Sequence, residues 1–338
     1  ITIAASTPAN TYTYEIRATD TNSGATTVAT YTITIGKAEN TLTVTSTTEM
    51  YTGDTLDLAP LVSGAAGTVS YAITTNGTTT GSTISGSNLT AGAMSTANDN
   101  NQTVVVTVTA AGNTNYASGS KTITVTVKKK DNTMTAKNGN VYVSSTTALA
   151  TFVENNIGGT LSATKGTDNE GGTKGSISGT NFVAGTLAAN DDADKTVTLS
   201  ITAARTATVK PQTVNVTVTV QKYTRAINIT TPTNNQVITY GESITAAATS
   251  AGTGGTPGTI TFTSGTTSVI TATGTNGTTL TAVSGTGSSV ITATRPGTQT
   301  VKAASATVTV SVNKGNNPLT VTSTTEMYTG DTLDLAPL

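Results

Sequence analysis

Three aspartates within four residues, Asp191, Asp192 and Asp194, are the group in this chain whose types and spacing best suit a chemical task. Carboxylates gathered in one loop offer hard oxygen ligands to Ca²⁺. The corresponding loop 93 residues earlier reads Asn98, Asp99, Asn100, Asn101, a poorer ligand set. Solvated turn chemistry, in which Asp and Asn side chains bond their own backbone, is the simpler account of both loops. No cofactor is therefore required, and Ca²⁺ on Asp191, Asp192 and Asp194 is the one candidate.

Other chemistry is excluded residue type by residue type. The 338 residues include no His and no Cys. That removes Ser–His and Cys–His nucleophiles as well as imidazole and thiolate metal sites. Acid–base catalysis needs two close carboxylates of unequal pKa. The 18 acidic residues are scattered, with Asp54 in a turn and Asp57 on an exposed strand face. No Gly-rich loop runs into Lys-Ser/Thr, so no phosphate cradle is expected. Zero Trp and 4% aromatics leave no platform for stacking sugars. The chain reads as non-enzymatic, without catalytic residues.

Lysines recur where strands end, at Lys37, Lys128, Lys222 and Lys314. Lys–Asn isopeptide crosslinks would need a buried Lys, Asn and carboxyl triad, and lysines at domain edges do not supply one. The run Lys128-Lys129-Lys130 reads as a solvated linker that keeps an edge from pairing.

What positions these loops is a repeat. Leu42 to Leu61 read LTVTSTTEMYTGDTLDLAPL, and Leu319 to Leu338 read the same twenty letters. This marks a fragment of a tandem array and reads as a window on a longer polypeptide. The stretch predicts a strand, a TGD turn and a second strand, TLDLAPL. From Thr83, TISGSNLTAGAMSTANDNNQTVVVTVTAA lies over SISGTNFVAGTLAANDDADKTVTLSITAA from Ser176 without a gap. Thr makes up about a quarter of the chain and alternates with Val and Ile in TVVVTVTA, KTITVTV, QTVNVTVTV and ATVTVSV. That period of two predicts half-buried strands. Roughly seven short strands in roughly 90 residues predict an immunoglobulin-type β-sandwich.

The fold class is accordingly all-β, tandem immunoglobulin-like sandwiches arranged as a rod or fibre. Residues 1–38 read as the C-terminal part of one domain, with a terminal hairpin in TYTYEIRATD and TTVATYTITI. Complete domains follow at 39–130, 131–224 and 225–315, and 316–338 opens another. The only helical candidate is a single turn within 184–195. Tyr51, Tyr142, Tyr240 and Tyr328 recur just before each second strand and read as rings closing one end of a sandwich. Net charge is −1, charged residues are 10% and mean hydropathy is −0.05, so no strong field draws nucleic acid or an anionic membrane. No run is apolar and long enough for a spanning helix.

Several stretches resemble a known family. ITYGESITAAAT from Ile238, with TITFTSGTTSVITATG, is similar to the opening of bacterial Ig-like repeats of the MBG and group 2 kinds. AAGNTNYASGSKTITVTV from Ala110 is similar to their closing hairpin, with its Gly-Asn-x-Asn-Tyr step. The middle unit departs from it, since AARTATVK at 203–210 lacks the Asn-Tyr step. The resemblance implies a stalk or filament segment of a large extracellular, surface-bound bacterial protein, including adhesins. Its expected partners are adjacent repeats of the same chain or of neighbouring copies. Ligand-binding Ig-like modules, and spacers of a secreted glycan-degrading enzyme, are the alternative readings.

Overall fold

Threonine alternating with valine or isoleucine fixes the longest strands, because successive side chains point to opposite faces. Along Gln102–Ala110, Val104, Val106, Val108 and Ala110 are fully buried while Thr107 and Thr109 stay half-buried on the other face. The structure, a computed structural model, describes residues 2–168, 174–316 and 326–332. The second copy of the twenty-residue stretch lies mostly outside the described residues.

The first strands are the expected hairpin, β1 (Thr11–Thr19) and β2 (Thr26–Thr34), paired antiparallel from Thr11 with Thr34 to Thr19 with Thr26. Tyr14, Ile16, Val28 and Tyr31 on it are all exposed.

The next nine strands are β3 (Thr43–Val44), β4 (Thr47–Tyr51), β5 (Thr55–Asp57), β6 (Val62–Ser63), β7 (Val69–Asn76), β8 (Thr83–Ser85), β9 (Asn88–Thr90), β10 (Gln102–Ala110) and β11 (Gly119–Lys128). They form a sheet of four, β4-β11-β10-β7, a sheet of three, β5-β9-β8, and the pair β3-β6.

The same arrangement recurs twice. First come β12 (Thr135–Ala136), β13 (Gly139–Tyr142), β14 (Thr146–Ala148), β15 (Val153–Glu154), β16 (Leu161–Asp168), β17 (Gly175–Ser178), β18 (Asn181–Ala184), β19 (Lys195–Ala203) and β20 (Gln212–Gln221). Their sheets run β13-β20-β19-β16 and β14-β18-β17, with β12-β15. Then come β21 (Ala226–Thr231), β22 (Gln236–Thr239), β23 (Ser243–Thr245), β24 (Ala247–Ala251), β25 (Thr261–Ser264), β26 (Ile270–Thr273), β27 (Thr279–Ala282), β28 (Gly287–Arg295) and β29 (Ala304–Asn313). These give β22-β29-β28-β25, β23-β27-β26 and β21-β24. The chain is thus an all-β series of immunoglobulin-like sandwiches.

Two compact units contain these strands, one of residues 1–137, 149–164 and 200–216, the other of 138–148, 165–199 and 217–338. The first unit holds the β3–β11 sandwich, whose core joins Leu42, Leu58, Leu89 and Met94 to the valines of β10 and to Ile123, Val125 and Val127 of β11. The second holds the β21–β29 sandwich, built on Ile238, Phe262, Ile270, Leu280, Ile291 and Val310. Each such side chain, fully buried, contributes about 1.5–3 kcal/mol relative to exposure. In each sandwich the first strand of the four-stranded sheet lies parallel to the last, as β4 to β11 and β22 to β29.

Two expectations need correcting. No helical turn forms within 184–195, where Asp191 Oδ1 accepts from the Ala193 amide and so competes with helical bonding. Short 3₁₀ turns stand instead at Ala59–Leu61, Leu149–Phe152 and Thr275–Gly277. The second strand of the twenty-residue stretch therefore stops at Asp57. Its Oδ1 accepts from the Ala59 amide, and Pro60 presets the backbone of the turn.

Candidate functional site: lysine-held joints

The loop after β18 carries Asp191, Asp192 and Asp194, and the structure does not converge them on one point. Asp191 Oδ2 lies 3.0 Å from Lys195 Nζ, Asp192 Oδ1 lies 3.1 Å from Lys222 Nζ, and Asp194 Oδ1 lies 2.9 Å from Lys302 Nζ. Among the described residues, no group of three or more carboxylates is placed to hold a metal. Each oxygen set faces an ammonium of the chain itself. The hydrogen bond from Lys195, helped by the Ala193 amide, holds Asp191 below the usual carboxylate range. Burial alone would raise Asp192, but the Ala303 amide at 2.8 Å and the charges of Lys222 and Lys302 outweigh it and keep it low.

Lys222 is fully buried, donating to Ala189 O at 3.0 Å as well as to Asp192. The first unit contains the same device. Lys129 is fully buried and donates to Asn98 O at 2.7 Å and Asp99 Oδ1 at 3.0 Å. The reading of 128–130 as a solvated linker is thus corrected at Lys129 alone, since Lys128 and Lys130 keep contact with solvent. Lys128 pairs with Glu49, Lys129 is enclosed by the loop, and Lys130 reaches Asp54 at 3.0 Å. A buried ammonium persists only where oxygens replace its lost hydration, and a backbone carbonyl plus a carboxylate do that here.

The residue after each of these lysines makes the second half of a joint. Lys130 N donates to Thr208 O and Lys210 N donates to Lys130 O, both at 2.9 Å, a parallel bridge to Val209. Tyr223 repeats the bridge to Val301 through Thr300 O and Lys302 N, also at 2.9 Å. Ala38 makes it to Tyr116 through Asn115 O and Ala117 N at 2.8 Å. The linker at each joint therefore adds a rung to the loop joining the last two strands of the sandwich it enters.

These receiving loops share one turn. Asn113 Oδ1 accepts the amides of Asn115 and Tyr116, both at 2.9 Å. Thr206 Oγ1 accepts those of Thr208 at 3.2 Å and Val209 at 2.9 Å. Thr298 Oγ1 does the same for Thr300 at 3.3 Å and Val301 at 3.0 Å. The middle unit lacks the Asn-Tyr letters yet keeps the turn, because a threonine hydroxyl substitutes for the asparagine carbonyl.

The receiving loop is also gripped by the aspartate-bearing loop. Met94 N reaches Ala207 O at 3.3 Å and Leu187 N reaches Gln299 O at 3.4 Å, both from fully buried side chains. Arg205 bonds Ala97 O at 2.7 Å and lies 3.4 Å from Asp99. Of the recurring tyrosines, Tyr51 sits 5.8 Å under Lys130 Nζ, and Tyr142 stacks on Tyr223 with centroids 4.3 Å apart and planes 6° apart. Both rings thus meet a linker residue, although all four tyrosines, Tyr240 and Tyr328 included, are exposed. Sequence reasoning missed Asp99, Lys129 and the burial of Lys222. The 93-residue register was the usable signal, since it lays Asp99 on Asp192 and Lys129, not Lys128, on Lys222.

No protein-family model matches the chain, and no curated protein matches it in sequence. Solved structures that it is similar to include Drosophila N-cadherin EC1-3, at 13% identity over 80% of this chain and 98% of that one, with a TM-score of 0.31. A protocadherin gammaB7 EC3-6 cis-dimer structure gives 15% identity over 90% and 82%, with a TM-score of 0.30. The protocadherin GammaB4 extracellular domain gives 15% identity over 90% of this chain, with a TM-score of 0.28, and the chain spans 56% of its length. At such identities and scores the likeness carries no information about function.

Proposed function

We propose that the chain is a structural, non-catalytic segment of a long repetitive extracellular bacterial surface protein, serving as stalk or as body of a filament. Its domains are taken as 39–130, 131–224 and 225–315, with part-domains at 1–38 and 316–338, and its partners as adjacent repeats. The observation that carries this reading is the joint, a backbone rung at Ala38, Lys130 and Tyr223, with a buried lysine before it at the last two. A flexible tether between independent binding modules needs neither. Parallel pairing of the entering strand with the leaving strand supports it too, because tension along β4 and β11 loads their ladder in shear. Resemblance to bacterial Ig-like repeats supplies the extracellular setting. The lysine ammoniums beside Asp191, Asp192 and Asp194 support a joint held by the chain's own charges. No helix among the described residues is long and apolar enough to cross a membrane.

Small-angle scattering on the whole chain tests the reading. Three sandwiches in series at ~35–40 Å each give a maximum dimension above roughly 110 Å and a radius of gyration near ~35 Å. A compact chain of this length would give about 20 Å, and that result would sink the stalk reading.

A further inference from the structure

The β21–β29 sandwich buries a guanidinium at a strand end where the two preceding sandwiches bury alanine. Six residues before the bridged residues Tyr116, Val209 and Val301, the strands end in Ala110, Ala203 and Arg295, and all three are fully buried. Arg295 donates to Ser250 Oγ, to Arg225 O at 3.0 Å and to Lys302 O at 2.8 Å, all neutral acceptors. Its Nε has no partner, and neither has the Nε of Arg225. Arg225 likewise spends its donors on the carbonyls of Ser250, Gly254 and Gly255. Among the described residues, neither guanidinium has a carboxylate within salt-bridge distance. Hydrogen bonds to neutral acceptors do not cancel a buried charge.

The nearest compensation comes from the loop after β18. Asp192 holds Lys222 through one oxygen and the Ala303 amide through the other, so its carboxylate is fixed against the receiving loop 297–303. One peptide joins it to Arg295: the Lys302 carbonyl accepts from Arg295 at 2.8 Å, and the Ala303 amide of that same peptide donates to Asp192 at 2.8 Å. Burial and the Arg225 charge push the guanidinium below its usual range, and the Asp192 charge opposes them. The cations around it are Lys222, Arg295 and Lys302, with Lys195 taken by Asp191 and Lys302 shared with Asp194.

We propose that Asp192 is a positioning residue that serves as shared counter-ion for Lys222, Lys302 and buried Arg295, so that the β21–β29 sandwich owes part of its stability to the loop after β18. Folding is then coupled across this joint by a charge, as nearest-neighbour terms couple other tandem repeats. Asp99, its counterpart, meets an alanine at the equivalent strand end and instead faces the half-buried Arg205 at 3.4 Å.

The test is hydrogen exchange of the full chain in Asp192→Asn, with Asp191→Asn as the control that removes an equally accessible carboxylate one residue away, paired with Lys195. Asn keeps the shape and an acceptor for the Ala303 amide. Amides of β28 and β29 should exchange at least fivefold faster in Asp192→Asn and less than twofold faster in the control. Adding Arg295→Ala, the residue found at this position in the other sandwiches, should return at least half of the lost protection. A change below fivefold in Asp192→Asn, or an equal change in the control, overturns the proposal. If Asp192→Asn leaves these amides wholly unprotected, the double variant decides: restored protection upholds the charge coupling, and no restoration overturns it.

Discussion

Asp99 and Lys129 stand 30 residues apart in the chain and 3.0 Å apart in space, and Asp192 and Lys222 repeat the same separation at 3.1 Å. In both pairs the lysine side chain is wholly enclosed while the carboxylate keeps 26% or 37% of its exposure. The asymmetry matters. The ammonium depends on the loop for its hydration, whereas the carboxylate can still turn to water. Removing the carboxylate should therefore cost more than removing the ammonium.

That ordering predicts the outcome at the first joint. Lys129→Met keeps the apolar stem and should destabilise the β3–β11 sandwich by about 1–2 kcal/mol, since Asp99 stays partly solvated. Asp99→Ala strands the enclosed ammonium and should cost about 3 kcal/mol, toward the figure for a broken buried pair. Urea titrations followed by exchange at the β10 and β11 amides give both values. Equal costs would contradict the dependence argued here.

Acid should loosen the second joint. The Asp192 carboxyl is held below its unfolded value, about 3.9 for Asp. A depressed folded pKa contributes stability that is fully present above the unfolded value and is lost as pH falls through the folded one. Exchange at the Ala303 amide, corrected for its intrinsic pH dependence, should be flat from pH 7 to about pH 5 and rise below about pH 4. In Asp192→Asn that rise should vanish. Its survival there would assign it to another carboxylate.

Chelation should leave the melting temperature unchanged. Asp191, Asp192 and Asp194 are each matched to a lysine, so a metal would have to displace three ammoniums. Calorimetry with EDTA, and again with millimolar Ca²⁺, checks this. A shift of more than a few degrees in either direction would return Ca²⁺ to the loop.

Much of the fold was legible, and for a physical reason. Val104, Val106 and Val108 alternate with polar or outward residues, and a half-buried strand permits no other period. The hairpin at β1 and β2 and the repeat of sandwiches followed the same way. The joints were not legible, because burial of Lys129 is decided by a loop 30 residues away and by no local pattern. A lysine at a strand end reads as solvated until something encloses it. The loss of Asn-Tyr at 203–210 misled for a related reason: the turn depends on one acceptor oxygen three residues before the bridge, and Thr206 supplies it as well as Asn113 does.

That acceptor gives the last prediction. Thr206→Val keeps shape and β-branching and deletes only Oγ1, which holds the amides of Thr208 and Val209. The Thr208 amide, on an exposed residue, then turns to water while Val209 stays buried, so the loss should be about 1 kcal/mol or more. Because the turn presents Thr208 O and Lys210 N to Lys130, the effect should reach the rung. Exchange at the Lys210 amide should quicken about fivefold, the factor that 1 kcal/mol of local opening implies. Thr202→Val is the matched control on β19, where the lost partner is the Thr213 hydroxyl at 2.8 Å. It should leave the Lys210 amide unchanged. If both variants act alike there, the rung does not depend on the turn, and the shared [Asn/Thr]-x-x-bridge pattern is incidental to the joint.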